Sequence, residues 1–418
     1  MRLGRDIFAG MTMALASLPV FAAVSSMLQQ AGMDFAGSFT ASVLLSLVGT
    51  LWAAFKRYGV VLTPSLTVTG YLVFIAAISH GLGWQVILAI SFLSSMLGLM
   101  LWQGRRWMGS YEWPAIFLWG IKLALAVFLI CMGLKMGRIV ITSAWQVTML
   151  GDASDPLMYW SMAGIVLTTA MLAGGLRSAM FAGMAVIGGI TFAEGFWVIP
   201  TAPFFLPAGL DKVAGQLSFH VGNASSEVFF GVTVFSLLVM LSAIHWSTFA
   251  VLSQKGEPRD GVRFLFALGT VGALCGVLPL VVSPVSSAGF DQNGRCAGLT
   301  AAAVLILALF CEPVIAAIAD FPALVVPVLV GSGFYLLSAS LKSCPLAVNS
   351  SGWQAEVLTV SVLVLLLSLT GNFATALGSA AIGYALFMSM AGKARDVAGM
   401  VWLISGIFTV YYIYGSIF

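Results

Sequence analysis

Apolar runs of about 20 residues recur from one end of the chain to the other, separated by short polar connections. An α-helix of that length crosses the hydrocarbon core of a membrane, and the runs are too long and too continuously apolar for the strands of a membrane barrel. The pattern therefore predicts membrane-spanning helices, with one short interrupted piece near 283–294. We expect the helices at roughly 7–28, 36–55, 61–79, 84–103, 115–134, 157–174, 179–199, 226–253, 262–282, 297–316, 321–341, 355–370, 373–391 and 397–416.

Composition supports this interpretation. Of the 418 residues, 60% are hydrophobic and only 8% are charged, whereas a soluble protein carries about 25% charged residues. Most of the outer surface must therefore face lipid, and no polar stretch is long enough for a soluble domain. The net charge of +3 does not suggest a nucleic-acid partner.

The residues that carry most enzymatic and metal chemistry are scarce. The three histidines and five cysteines are scattered, without the spacing of a metal site or a CxxC motif. The sequence contains neither the phosphate-binding GxxxxGKS loop nor a nucleophile elbow. We therefore expect no metal, no cofactor and no enzymatic activity, and ATP-driven transport has no support.

The positions of the positive charges predict the orientation. When the N-terminus is placed inside and the interrupted piece is counted as a half-spanning element, alternate connections fall on the cytoplasmic face. These connections hold all but four of the 18 Lys and Arg residues. The positive-inside rule thus predicts a multi-pass protein of the inner (plasma) membrane with a cytoplasmic N-terminus. The four exceptions are Lys122, Lys135, Arg138 and Lys212.

Two stretches resemble each other and divide the chain into halves. They are 60–67 (VVLTPSLT) and 281–287 (VVSPVSS), although two such stretches could also arise by chance in a chain with 14 prolines. Proline fixes φ and removes an N–H, so each stretch is expected to be extended before a half-helix begins. The free N–H groups and the positive end of each half-helix would then face a cavity. Two segments precede and four follow each stretch, which predicts two seven-segment halves and one extra segment.

Several short motifs, none specific alone, are similar in order and spacing to those of a known family. They are Gln30–Asp34, Leu62–Ser65, Asn293–Thr300, Asp320–Leu324 and Asn372–Asp396. In these motifs the chain resembles the nucleobase–cation symporters of the xanthine/uracil permease family, especially the branch that carries hypoxanthine, guanine and adenine.

The resemblance implies an all-α polytopic fold of two inverted seven-helix repeats, divided into core and gate domains. About 14 segments would cross the membrane, with half-helices in segments 3 and 10. The first repeat would comprise residues 1–200 and the second 226–392, with an extracytoplasmic linker at 201–225 and the extra hydrophobic segment at 393–418. The substrate site would lie where the half-helices meet, near the middle of the bilayer.

The expected substrate-binding residues combine this position with suitable chemistry. The family usually has an acidic residue in the eighth helix, where this chain has Ile244, followed by His245. A histidine can donate, accept and titrate near neutral pH, which suits a proton-coupled site, although a buried histidine is also often only structural. Hydroxyls at the half-helices could contact substrate or only satisfy broken backbone. The predicted substrate-binding residues are Thr63, Ser65, Thr67, His245, Ser286 and Ser287.

Lys122 is an unusual cation inside the fifth apolar segment. Intramembrane lysines usually face a protein interior and have a partner, but a lysine can also extend its ammonium toward the membrane surface. One hypothesis is that Lys122, together with His245, supplies coupling or charge balance in place of the missing acids. This hypothesis would favour an anionic substrate.

We therefore predict a secondary active permease that moves a purine-type nucleobase by alternating access. The resemblance implies the proton as the coupling ion and a possible homodimer, while the missing acids also leave a facilitative mode open. One alternative is an anion permease of the same architecture, of the benzoate, bicarbonate or sulfate type. A second is a membrane-embedded partner protein with no transport of its own.

Overall fold

The computed structural model describes residues 2–103, 115–143, 148–176, 178–221, 224–252, 258–283, 294–345 and 352–417. Helices dominate these ranges, and four short strands interrupt them. The strands are β1 (Leu62–Pro64), β2 (Val140–Ile141), β3 (Met149–Leu150) and β4 (Leu280–Val282). The helices are α1 (Arg2–Gln30), α2 (Phe35–Phe55), α3 (Leu66–Gly70), α4 (Trp84–Gln103), α5 (Ala115–Met136), α6 (Pro156–Ala173), α7 (Ala179–Ala193), α8 (Leu210–Val213), α9 (Ala224–Leu252), α10 (Pro258–Leu274), α11 (Gly294–Phe310), α12 (Glu312–Asp320), α13 (Val326–Lys342), α14 (Trp353–Thr370), α15 (Phe373–Met390) and α16 (Gly399–Ile417).

Many of these helices can cross a membrane. Within the described ranges nine helices have the necessary length and apolar character, and a tenth span results if α11 and the bent α12 count together. Three shorter apolar helices lie at 66–79, 179–193 and 401–413. The predicted polytopic helical fold is confirmed, and most predicted segments differ from the helices by only a few residues at each end.

Three predicted segments are not simple helices. The third segment consists of β1, α3 and a π-helix (Tyr71–Ser79), and the ninth ends as a helix at Leu274 before β4 begins. The segment expected at 297–316 bends by 91° between α11 and α12. The first two deviations lie at the predicted proline stretches. No sequence pattern predicted the π-helix, a rare form that is frequent at functional sites.

The chain forms two compact units, and each unit takes stretches from both halves of the sequence. Unit 1 comprises residues 1–69, 129–216 and 275–335, and unit 2 comprises 70–128, 217–274 and 336–418. The predicted repeats are continuous stretches of sequence, whereas each unit groups residues that are close in space. The boundaries therefore stay a prediction.

Unit 1 is built around the antiparallel pair of β1 and β4. Leu62 pairs with Val282, 220 positions further along the chain. Pro64 and Pro284 in the two similar stretches are separated by the same interval. Leu62 and Val282, which this interval makes equivalent, therefore pair with each other, while Thr63 pairs with Val281. This antiparallel register gives the strand crossing local two-fold symmetry. Helices α1, α2 and α11 pack beside it, and the backbones of α1 and α11 come so close that a side chain at Gly10 would collide with the Ala297 carbonyl.

Unit 2 is a bundle in which α4 packs against both α9 and α10. The Ser94 hydroxyl donates to the Val234 carbonyl across α4 and α9, at 2.9 Å. The last helix, α16, runs antiparallel to α15, because Phe408 packs on Gly378 and the Tyr412 hydroxyl donates to the Thr375 carbonyl. The extra C-terminal segment thus lies alongside a membrane-spanning helix.

Candidate functional site

The strand crossing in unit 1 is enclosed by protein. All six strand residues are buried, and the pairing extends beyond the strands at both ends. The Ser283 N–H donates to the Val61 carbonyl at 2.9 Å, and the Ser65 N–H donates to the Pro279 carbonyl at 3.3 Å. Non-helical backbone at membrane depth is tolerated only where protein or a cavity satisfies its polar groups. The crossing meets this condition through its own hydrogen bonds.

Hydroxyls from neighbouring helices complete the hydrogen bonding of the crossing. The Leu62 N–H donates to Thr50 Oγ1 of α2 at 3.2 Å. The hydroxyls of Ser17 and Ser283 lie 3.1 Å apart, and Ser17 also donates to the Met13 carbonyl. Neither Ser17 nor Thr50 was predicted to belong to the site. Ser17 stands two positions before Pro19 inside α1, and this Ser-x-Pro spacing in an apolar helix was the available signal.

The residues predicted around β1 have different surroundings. Thr63 and Thr67 are buried. Ser65 acts as the N-cap of α3, because its side-chain oxygen accepts from the Val68 N–H at 3.3 Å and its carbonyl accepts from the Thr69 N–H. The Ser65 hydroxyl is therefore already engaged with backbone, as one of the two interpretations of these hydroxyls anticipated.

Thr69 has a free hydroxyl that the sequence analysis did not identify. Its side chain is fully buried, and Oγ1 has no hydrogen-bond partner among the residues that the structure describes. A buried hydroxyl without a partner costs free energy, so such groups usually have a functional explanation or bind something that is not protein. Thr69 lies one turn after the Ser65 cap, at the start of the half-helix. It is therefore a candidate substrate contact in unit 1.

The predicted site residues Ser286 and Ser287 lie outside the described residues, as does the short tenth segment that would contain them. Their proposed role stays a prediction. The described end of that half of the site is Ser283, which is buried and bonded to Val61 and Ser17.

His245 lies in unit 2 and is buried on α9. Its ring packs edge-on against Phe266 of α10, with centroids 5.0 Å apart, and Nδ1 has no partner within the described part of the chain. The adjacent Trp246 stacks on Trp102 of α4 at 5.2 Å. Along the bundle of unit 2, His245 therefore lies beside the last turn of α4 and not beside the middle of α4.

Lys122 is half-buried in the part of α5 that belongs to unit 2. Its neighbour Gly120 faces Val360 and Leu363 of α14, so Lys122 points away from that contact. No ion pair or hydrogen bond to its ammonium group occurs in the ranges described. The hypothesis that Lys122 takes part in charge balance stays a prediction.

Two of the four cations that break the positive-inside pattern are paired with carboxylates. Arg138 contacts Asp155 at 3.1 Å, and Lys212 contacts Asp34 at 3.0 Å. Asp34 also caps α2 by accepting from the Gly37 N–H at 3.0 Å. This backbone hydrogen bond, against a smaller opposing effect of burial and with help from Lys212, holds the pKa of Asp34 below its usual value. The exceptions Arg138 and Lys212 are thus locally neutralised.

Several known proteins are similar to this chain in sequence or in structure. No family model matches the chain. The guanine/hypoxanthine permease PbuO of Bacillus subtilis is 24% identical, with 97% of this chain and 96% of the relative covered. The adenine permease AdeQ of Escherichia coli is 21% identical, with 97% and 92% covered. Both of these relatives are nucleobase permeases. The predicted resemblance to the xanthine/uracil permease family is thereby confirmed.

Solved structures extend the likeness to the fold. The transmembrane domain of the cyanobacterial bicarbonate transporter BicA superimposes with a TM-score of 0.61 at 14% identity, covering 88% of this chain and 96% of that one. SLC26A9 gives a TM-score of 0.61 at 12% identity, covering 93% and 64%. At these identities the likeness establishes the inverted-repeat fold alone, which confirms the predicted architecture.

Proposed function

We propose that this chain is a secondary active permease that moves purine-type nucleobases across the inner membrane by alternating access. The observation that carries the proposal is the alignment with PbuO, which spans almost the full length of both chains. An alignment of that extent includes both proline stretches and the helices on either side of them.

The strand crossing offers chemistry that suits a nucleobase. A purine edge presents N–H donors beside carbonyl or ring-nitrogen acceptors, so a site needs neutral groups that can both donate and accept. Hydroxyls meet this need, and Thr69 has one that is unengaged in the described structure. Thr63, Thr67 and Thr69 are the proposed contacts in unit 1, while Ser286, Ser287 and His245 remain candidates.

Proton coupling is the finer part of the proposal. The position where the family has an acid holds Ile244, so a coupled proton would need another carrier, and His245 is the candidate. Uptake into proteoliposomes with an imposed pH gradient tests this step. Stimulation by an inward proton gradient that is abolished by an uncoupler supports coupling, whereas equal uptake with and without the gradient would establish a facilitative permease.

Anion transport is the second candidate. Two observations favour it: Lys122 is a half-buried cation without a described partner, and the bicarbonate transporter BicA shares the fold. A cation in a transport path would attract a charged substrate and serve no purpose for a neutral purine. The hypothesis expects Lys122→Met to abolish anion uptake and Lys122→Arg to preserve much of it.

One experiment separates the candidates. Labelled guanine, hypoxanthine and adenine are offered to proteoliposomes that contain the purified chain, with unlabelled purines, benzoate, bicarbonate or sulfate as competitors. The proposal expects saturable purine uptake that purines inhibit and anions leave unchanged. Anion uptake without purine uptake would replace the proposal by the second candidate. If neither substrate enters, and neither raises the thermal stability of the purified protein, the chain is a membrane partner protein without transport.

A further inference from the structure

Four exposed cations converge at one end of unit 1. Arg5 lies in the first turns of α1, Lys56 and Arg57 directly follow α2, and Arg295 lies in the first turn of α11. Helices α1 and α2 are antiparallel with a short connection, so the start of α1 and the end of α2 lie on the same side. We call these four residues the basic patch. It lies on the predicted cytoplasmic side, at the end of unit 1 opposite to Asp34.

The backbone holds the basic patch together. After α2 the chain turns sharply, with the Arg57 N–H donating to the Ala54 carbonyl at 3.0 Å and the Tyr58 N–H to the Ala53 carbonyl at 2.9 Å. The Arg57 carbonyl then packs against Gly294, so tightly that a side chain at Gly294 would collide with it. The backbone positions of Lys56, Arg57 and Arg295 are therefore fixed relative to one another.

Arg57 has a backbone conformation that favours glycine. Its φ is +62°, in the left-handed region where a Cβ is crowded by the backbone. An arginine at this turn therefore incurs a conformational cost that a glycine would avoid. Residues in such conformations persist where the surrounding structure fixes them, and they cluster at functional sites. This observation suggests that the guanidinium itself has a use.

Lipid-facing side chains border the basic patch. The Arg295 guanidinium lies over the Phe55 ring, 5.9 Å from its centroid, and this ring is 63% exposed. Leu3 and Phe8 on α1 are 61% and 53% exposed. Asp6, the acid on the same turn of α1, is buried. The surface at this end thus combines exposed positive charge with exposed apolar side chains.

We propose that the basic patch binds the headgroup of an anionic phospholipid in the adjoining leaflet. Guanidinium groups bind phosphate oxygens through paired hydrogen bonds, and basic pockets between transmembrane helices bind acidic lipid headgroups. The acyl chains would lie along Leu3, Phe8 and Phe55. A soluble phosphate would use the cations but leave these three side chains without a role, so the lipid is the ligand that accounts for the whole surface.

The test measures thermal unfolding of the purified full-length protein in neutral detergent, titrated with phosphatidylglycerol or with phosphatidylcholine. We expect phosphatidylglycerol to raise the midpoint and phosphatidylcholine to have little effect. Each cation removed should weaken the apparent affinity for phosphatidylglycerol about fivefold, since one basic residue near the membrane contributes about a factor of that size. The variants are Arg57→Gly and Arg295→Gln, with Lys342→Gln, an exposed cation at the end of α13 in unit 2, as the matched control.

Arg57→Gly separates lipid binding from folding. Glycine suits the positive φ, so the variant without added lipid should unfold at the same or a higher temperature while losing the response to phosphatidylglycerol. Equal responses to the two lipids in the unmodified protein, or an unchanged response in both Arg57→Gly and Arg295→Gln, would overturn the proposal. A midpoint shift with glycerol 3-phosphate or inorganic phosphate as large as that with phosphatidylglycerol would also overturn it, in favour of a soluble phosphate ligand.

Discussion

The strand crossing of unit 1 and the polar residues of unit 2 solve the same problem in different ways. At the crossing the helix is interrupted, and hydroxyls from other elements bond the exposed backbone, as Thr50 does for Leu62. In unit 2 the helices carrying His245 and Lys122 are uninterrupted, and their polar side chains lack described partners at Nδ1 and the ammonium group. The broken backbone is thus satisfied by a hydroxyl from a neighbouring helix, whereas His245 Nδ1 and the Lys122 ammonium, on regular helices, have no such partner among the described residues.

The largest expected effect tests the role of Thr50 at the crossing. Thr50→Val leaves the buried Leu62 N–H without an acceptor, which should lower the free energy of unfolding by about 1–3 kcal/mol. The matched control is Thr359→Val in unit 2, because the Thr359 hydroxyl is equally buried but donates only within its own helix, to the Ala355 carbonyl. Thermal unfolding of both variants checks this, and equal losses would contradict a special role for Thr50.

Thr69→Val tests whether the free hydroxyl binds substrate. Valine has nearly the same shape, and no described hydrogen bond is lost, so thermal stability should stay the same or rise. Purine uptake should fall about two- to tenfold, as expected for one neutral hydrogen bond to substrate. The comparison variant is Ser65→Ala, which should instead lower stability because it removes the cap of α3. Unchanged purine uptake in Thr69→Val would exclude Thr69 from the site.

His245→Leu tests the isolated polar group of unit 2. Removing a buried ring nitrogen without a partner should raise the free energy of unfolding by about 1 kcal/mol. If the ring binds substrate or carries the coupled proton, purine uptake or its response to a pH gradient should fall at the same time. Higher stability with normal, gradient-dependent uptake would show that His245 is a structural residue.

The smallest effect concerns the Asp34 cap. Because the pKa of Asp34 is lowered below 3.8 in the folded protein, its contribution to stability is complete above that pH and is lost as the pH falls through the folded-state pKa. Asp34→Asn should therefore be slightly less stable than the unmodified protein near neutrality, and the difference should disappear below about pH 4, since asparagine caps the helix without the charge. Lys212→Met should change the acid response less, because the Gly37 N–H is the larger cause. An equal or larger effect of Lys212→Met would reverse that order.

Much of the fold was predictable because lipid imposes a simple pattern. A membrane helix must be apolar over its whole length, so the predicted segment 84–103 coincides with α4. Both proline stretches were predicted as breaks, and β1 and β4 are at or next to them. The bend between α11 and α12 was not predicted, although Glu312 and Pro313 follow Cys311 directly and a proline in the first turn of α12 is a local signal for a helix break.

The candidate site was predictable only in part. The two proline stretches and several hydroxyl-bearing residues near them could be identified from the sequence. The sequence did not show that the Ser65 hydroxyl caps α3 or that the Thr69 hydroxyl has no described hydrogen-bond partner, because both depend on the positions of backbone atoms in the folded chain. Ser17 and Thr50 come from helices that precede the crossing, and their contact with it depends on the three-dimensional packing. Many apolar helices of this chain contain a serine or threonine, and only the packing shows which of these hydroxyls reaches the strand crossing.

The sequence by itself determined that the chain crosses a membrane many times, where its two similar stretches lie and which permeases it resembles. These features depend on residue type and order, because transfer into lipid is decided segment by segment. Only the tertiary structure decided that Leu62 pairs with Val282, that each compact unit draws on both halves, and that the Arg57 carbonyl packs against Gly294 at the start of α11. Contacts between residues about 220 positions apart arise from packing and hydrogen bonding among buried elements, which no local pattern records.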